Sequence, residues 1–269
     1  MTFDASEKLR FAGVPVQCFK FTKAGTSWFY TSADEIITTP DGVFLPEPIN
    51  CGEVEYSGED SAETLEITVT RTNPVGALFI ASLPSYEIGV TAYMLHRGSE
   101  SDRVAFFSGK VDTARGQISE RILRCSSIKE KLRRPFPQLR FQTTCNHRLY
   151  SPGCGANPNL SQDAIVISTV SGPIITSNDF LIHPSGWFKA GKLQGPNGEE
   201  QRAIIDHVGD TVRLLGPMPG LKSLDQCIAF WGCNHLTSDC GPAKFNVLVN
   251  YLGAPWIPTL NPAVDGVDR

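Results

Sequence analysis

Eight cysteines in a chain of 269 residues are the side chains with most latent chemistry. Cys18, Cys51 and Cys125 lie singly in or beside stretches that read as strands, where a thiol behaves as a small apolar residue. Cys145, Cys154, Cys233 and Cys240 differ: they form two loop-borne pairs flanked by glycine and proline. The tripeptide Cys-Asn-His occurs at 145–147 and again at 233–235, each time with another cysteine downstream. Four thiolates at one point suit a soft metal site, either tetrahedral zinc or an iron–sulfur cluster. The gaps are eight residues (Asn146 to Gly153) and six residues (Asn234 to Asp239). Zinc ribbons and knuckles separate their cysteines by about two to four residues, and the bacterial ferredoxin run by about two. Residue chemistry therefore gives a four-cysteine centre and leaves its kind open.

Three neighbours compete for roles at such a centre. Cys227 stands six positions before Cys233, in the apolar run Cys227-Ile228-Ala229-Phe230-Trp231, and reads as core, with substitution for a ligand as the alternative. His147 and His235 read as hydrogen-bond donors or packing groups beside the ligands, or else as ligands in a mixed Cys/His zinc site. A cysteine hydrolase is a further alternative, with Cys145 or Cys233 as nucleophile. Within Cys-Asn-His, however, thiol and imidazole are closer in sequence than the usual arrangement, in which distant elements bring the two together. No phosphate loop, dinucleotide fingerprint, His-Glu-x-x-His or Gly-x-Ser-x-Gly occurs, so no catalytic residue is assigned and the expectation is a non-enzyme. Glu53, Glu55, Glu59 and Asp60 read as a solvated acidic loop, and Lys129, Lys131, Arg133 and Arg134 as a solvated basic helix face.

The elements that must carry these loops are mostly strands. Leu65, Ile67 and Val69 alternate with Thr64, Glu66, Thr68 and Thr70, the period that puts one face in a core. Further strands are expected at Cys18–Phe21, Trp28–Ser32, Val90–Leu95, Val104–Phe107 and Ile118–Cys125, with glycine turns between them. Asn73-Pro74 should cap and open a short helix through Leu78, Phe79 and Ile80. Ser127-Ile128-Lys129-Glu130 reads as a capping box, stopped by Pro135. A second β-rich stretch is expected at Ala164–Val170, Gly186–Leu193 and Ala203–Leu215, with a hairpin at Val208-Gly209-Asp210-Thr211. Prolines 255, 258 and 262 forbid a long closing helix. The fold class that follows is mainly β: an N-terminal β-barrel or sandwich domain over residues 1–138 and a β-rich, cysteine-bearing domain over 139–269.

Composition narrows the function further. Charged residues make up 19% against about 25% in typical domains, and 41% are hydrophobic, so a packed core rather than a disordered tail is expected. No apolar run approaches the roughly 18 residues that span a bilayer, and Met1–Arg10 carries no signal-like apolar stretch. Formal charge −4 offers no broad basic field, which argues against stable binding of duplex nucleic acid.

The words around the cysteines are similar to those of a known group. Cys145-Asn146-His147-Arg148-Leu149-Tyr150 resembles a Cys-x-His-x-Leu-Tyr loop. Phe245-Asn246-Val247, Asn250-Tyr251-Leu252-Gly253-Ala254-Pro255 and Ile257-Pro258 resemble a closing Phe-x-Asn, Asn-Phe-x-Gly-x-Pro stretch, with Tyr251 where phenylalanine is commoner. Both belong to the tail-tip hub proteins of long-tailed phages and gene transfer agents, the group that includes the tail tip protein L of phage lambda. The resemblance implies a structural virion protein whose 4Fe–4S cluster is held by Cys145, Cys154, Cys233 and Cys240. It further implies a homotrimer at the tail tip, assembled in the host cytoplasm between the distal tail protein and the central receptor-binding or tip-attachment protein. The tape measure protein is a further candidate partner. A zinc-stabilised virion module is the alternative, and the β module between Cys154 and Cys233 is left without a role.

Overall fold

A computed structural model describes residues 15–52, 64–79, 83–98, 100–116, 119–129 and 139–257. The chain divides into two compact units, Met1–Pro135 and Phe136–Arg269. Each is mainly β.

The first unit holds β1 (Pro15–Lys23), β2 (Thr26–Thr31), β3 (Ile37–Thr39), β4 (Gly42–Pro46), β5 (Asn50–Cys51), β6 (Thr64–Thr70), β7 (Gly89–His96), β8 (Val104–Gly116) and β9 (Glu120–Ser127). They form one nine-stranded sheet in the order β3-β4-β2-β1-β7-β8-β9-β6-β5. Neighbours are antiparallel except β2 and β4, which run parallel. The ladder starts at β3 and ends at β5, so among the described residues the expected barrel or sandwich takes the form of an open, curled sheet. The curl shows in β1, which is buried on both faces: Phe19 and Phe21 enter one apolar cluster, Val16 and Cys18 another. Leu65, Ile67 and Val69 of β6 are buried as their alternation requires, while Glu66 is exposed.

Asn73 caps α1 (Pro74–Ala77) by accepting the Val75 and Gly76 amides at 3.0 and 3.3 Å. The helix stops at Leu78, short of the expected run to Ile80, because the Leu78 amide turns back on Val75 in a tighter closing turn. Cys18 and Cys125 are fully buried, and burial pushes both thiols up. They are core residues, as their strand setting implied. The acidic loop 53–60 and most of the basic run after Lys129 lie outside the described residues, as do Pro258 and Pro262.

The second unit holds β10 (Gln162–Val166), β11 (Thr169–Ser171), β12 (Ile174–Thr176), β13 (Lys192–Gln194), β14 (Gln201–Val208), β15 (Thr211–Leu214) and β16 (Gln226–Phe230). They make an antiparallel sheet in the order β10-β16-β13-β14-β15-β12-β11. Its core includes Ile165, Ile175, Phe188, Leu193, Val212 and Cys227, so Cys227 is core as read from its apolar run. The β14–β15 hairpin turns at Gly209, whose φ of +59° is the left-handed value a first turn position needs.

Two expected strands are corrected. Ala164–Val170 is broken, because the Ile167 and Ser168 amides leave the ladder for Asp225 and Thr176. Gly186–Leu193 is strand only from Lys192. Its apolar residues build an aromatic cluster instead, with Trp187 stacked on His183 at 4.6 Å and Trp231 edge-on to both. Turns closed by Pro184, Gly186 and Phe188 carbonyls hold that segment out of the sheet.

Candidate metal centre

The second unit carries all four loop cysteines. The first loop leaves Cys145 and returns at Cys154 through a turn in which the Cys154 amide donates to the Ser151 carbonyl at 3.0 Å. The second leaves Cys233 and enters α2 (Thr237–Cys240), so that Cys240 ends a single helical turn. Asp239 opens that loop from inside, accepting the Asn234 amide at 2.8 Å, and Asn234 accepts the Leu236 amide at 2.8 Å. Cys145, Cys233 and Cys240 are buried and Cys154 is half-buried.

The other three loop cysteines act electrostatically on Cys240. Burial pushes the Cys240 thiol up to about 11, and the charges of Cys233, Cys145 and Cys154 push the same way. Burial likewise raises Cys233, and Cys154 is among the neighbours adding to it. Two of the sulfurs already accept backbone hydrogen bonds: Cys233 Sγ from the His235 amide at 3.3 Å, and Cys145 Sγ from the Leu252 amide at 3.4 Å. At the same time, among the described residues no group of three or more His, Cys, Asp or Glu side chains is placed to hold a single metal ion.

Long-range ties fix the loops. The His235 carbonyl accepts the Cys145 amide at 2.8 Å, joining the two Cys-Asn-His segments directly. Segment 250–254 then crosses both loops as a latch. Asn250 Nδ2 donates to the Cys154 carbonyl at 3.1 Å, and the Tyr251 hydroxyl donates to the carbonyls of Thr143 and His235. The Leu252 carbonyl accepts the Asn146 amide at 2.9 Å, and the Ala254 amide donates to Gln142 at 2.9 Å. Glycines let these segments approach. A Cβ on Gly155 would stand 2.3 Å from Asn250 Nδ2, and one on Gly153 would stand 2.5 Å from the His147 ring. His147 therefore packs across the first loop, and His235 acts through its backbone.

Two further ties bind the cysteine loops to the β module. The Tyr150 hydroxyl donates to the Trp231 carbonyl at 2.8 Å, and burial raises its pKa, with the Cys154 and Cys233 charges adding to it. Lys244 Nζ donates to the Trp187 carbonyl at 3.1 Å, pairs with Asp239 at 3.3 Å and sits 4.8 Å over the Trp187 ring. Tyr150, His235 and Asn246 all hold left-handed backbone, with φ of 62°, 61° and 54°. Such conformations cost about 1–3 kcal/mol each and survive only where the surroundings over-determine them. Here the Tyr150 hydroxyl and both backbone groups of His235 are fixed by the bonds just described.

A nucleophile is not what this arrangement favours. Among the described residues no imidazole is hydrogen-bonded to any of the four sulfurs, and Cys233 and Cys240 are pushed up, the reverse of an activated thiolate.

Comparison with known proteins agrees with this architecture. Over the whole fold the chain is similar to a chain in the structure described as "Virion of native gene transfer agent (GTA) particle", with a TM-score of 0.78 at 14% identity, covering 97% of this chain and 94% of that one. At that identity the likeness is one of fold. A protein of Xylella fastidiosa (strain 9a5c), described as "Uncharacterized protein", is 24% identical over 172 residues, which cover 59% of this chain and 36% of that protein, so the match spans little more than a third of the relative. Residues 186–261 match the family described as "Phage conserved hypothetical protein BR0599", a span that contains Cys233, Cys240 and the latch. Residues 15–157, more than half of the chain, match the family described as "Baseplate hub protein, N-terminal attachment domain", and the chain belongs to that family of phage baseplate hub proteins.

Proposed function

We propose that the chain is the tail-tip hub of a phage-like tail, a lambda-type structural protein without catalytic function, and that Cys145, Cys154, Cys233 and Cys240 hold a 4Fe–4S cluster. The match of residues 15–157 to the baseplate hub attachment domain carries the first part. On this reading the hub assembles as a homotrimer that joins the distal tail protein to the central tip or receptor-binding protein, next to the tape measure protein.

The donor set supports the second part. The two N–H···S bonds place donors where cluster-ligating sulfurs commonly receive them. Four thiolates are the usual ligand set of a 4Fe–4S cluster. When bound, the cluster supplies a fourfold cross-link between two loops remote in sequence. The chain's own residues set that geometry: Asp239 and Asn234 shape one loop, Tyr150 anchors the other, and segment 250–254 seals both.

Anaerobic purification followed by iron, sulfide and zinc analysis tests the cluster. About four irons and four sulfides per chain are expected, lost in C154S and C240S; stoichiometric zinc without iron would overturn it. Proteomics and electron microscopy of purified particles test the hub. The chain should appear at the distal end of the tail tube, and its absence from intact tails would refute the role.

A further inference from the structure

One groove of the second unit lies beside the cysteine loops. A groove of about 660 Å³ runs between the first cysteine loop and strands β13 and β14, lined by Arg148, Tyr150, Ser151, Lys192, Ala203 and His235 among others. No aspartate or glutamate lines it. Arg148 is exposed, and among the described residues it has no ion pair. Lys192 is half-buried, donates to Gln201 Oε1 at 3.0 Å and lies 4.5 Å over the Phe230 ring. Burial lowers its proton affinity, and the nearby Arg148 charge lowers it further. Arg148 and Lys192 thus line one groove whose described lining contains no carboxylate.

We propose that this groove is a docking site for a carboxylate-bearing peptide segment of a neighbouring virion protein, seated with an Asp or Glu side chain between Arg148 and Lys192. A carboxylate there accepts from both cations at once and relieves their repulsion, which is where a charged contact contributes most to specificity. Nucleic acid fits less well. Two cations on a chain of net charge −4 displace too few counter-ions for useful phosphate affinity. The groove's anion chemistry stands on its own geometry, whereas the identity of the partner as a virion protein rests on the hub reading.

Fluorescence anisotropy with labelled hexaglutamate on the purified full chain tests the site. Binding should weaken with added salt and fall roughly tenfold in each of R148Q and K192Q, which sit on different elements, while hexaglutamine should not bind. Circular dichroism and iron content, unchanged in both variants, separate loss of the site from loss of fold. The proposal is overturned by equal binding of hexaglutamine or by unaltered affinity in both variants. It is also overturned by tighter binding of a six-nucleotide oligothymidylate that is lost in the same variants, or by self-association of the wild type that R148E abolishes. Hexaglutamate binding by a chain absent from tails would sink the hub reading and leave the groove. A chain present in tails that ignores hexaglutamate would do the opposite.

Discussion

Tyr251 lies in the segment that crosses both cysteine loops. Its hydroxyl bridges the carbonyls of Thr143, just before the first cysteine loop, and His235, within the second. Removing it leaves the Thr143 carbonyl to find water, while the His235 carbonyl keeps the Cys145 amide, a loss of about 1 kcal/mol. Y251F should therefore fold and keep its metal content, but melt a few degrees lower. Thermal unfolding followed by circular dichroism checks this, and an unchanged midpoint would show that the bridge adds nothing. Gly232 presents a harder limit. A Cβ there would lie 1.7 Å from the Lys189 carbonyl oxygen, part of a backbone with nowhere to move, whereas at Gly153 the obstacle is the rotatable His147 ring. G232A should be recovered only as insoluble protein and G153A in soluble form, as fractionation of expressed protein would reveal.

At the scale of elements, strand β14 carries a pH dependence. His207 is 1% exposed, between the rings of Phe180 and Phe188 at 6.0 and 5.0 Å, with Nε2 3.0 Å from the Gly209 carbonyl. Burial lowers its pKa; the Gly209 bond and Asp206 oppose that, and His183 reinforces it. The folded form thus resists a proton that the unfolded chain accepts near its usual value of about 6.5. The stabilisation from neutral His207 is complete above that pH and is lost as pH falls below it toward the folded value. Urea midpoints measured from pH 7.5 to 5 should decline for the wild type and decline less for H207Q; equal slopes would refute the assignment.

The same scale shows what the sequence made legible. β6, the Asn73 cap and the Gly209 hairpin were all readable because each depends on neighbours within a few residues. β3, β4 and β5 were not, since strands of two to five residues are defined by the partners they pair with. Gly186–Leu193 looked like a strand because Trp187 and Phe188 are apolar, and nothing local shows that they pack around His183 instead. The two loop-borne cysteine pairs were visible as residue types and spacing. The latch was not, because its bonds join residues about 100 positions apart, Asn250 to Cys154 and Leu252 to Cys145.

For the whole molecule, the two units have separate apolar cores, one around Phe19, Leu65 and Leu123 and the other around Ile165, Phe188 and Leu193. Only the second contains the four loop cysteines. The proposed cluster would close the long chain segment between Cys154 and Cys233, and by analogy with disulfides such a closure would remove unfolded-state entropy equivalent to about 4 kcal/mol. The N-terminal sheet's ladder and core contain none of these four cysteines, so it should gain nothing from such a cluster. Calorimetry of the intact chain should accordingly resolve two transitions. Stripping iron with a chelator under anaerobic conditions should lower the transition of Phe136–Arg269 by many degrees and leave that of Met1–Pro135 in place. If both moved together the units would share one cooperative fold, and if neither moved the cluster would have no structural role. The first outcome alone is what a hub needs when its attachment sheet must stay folded independently of the centre that ties down its second half.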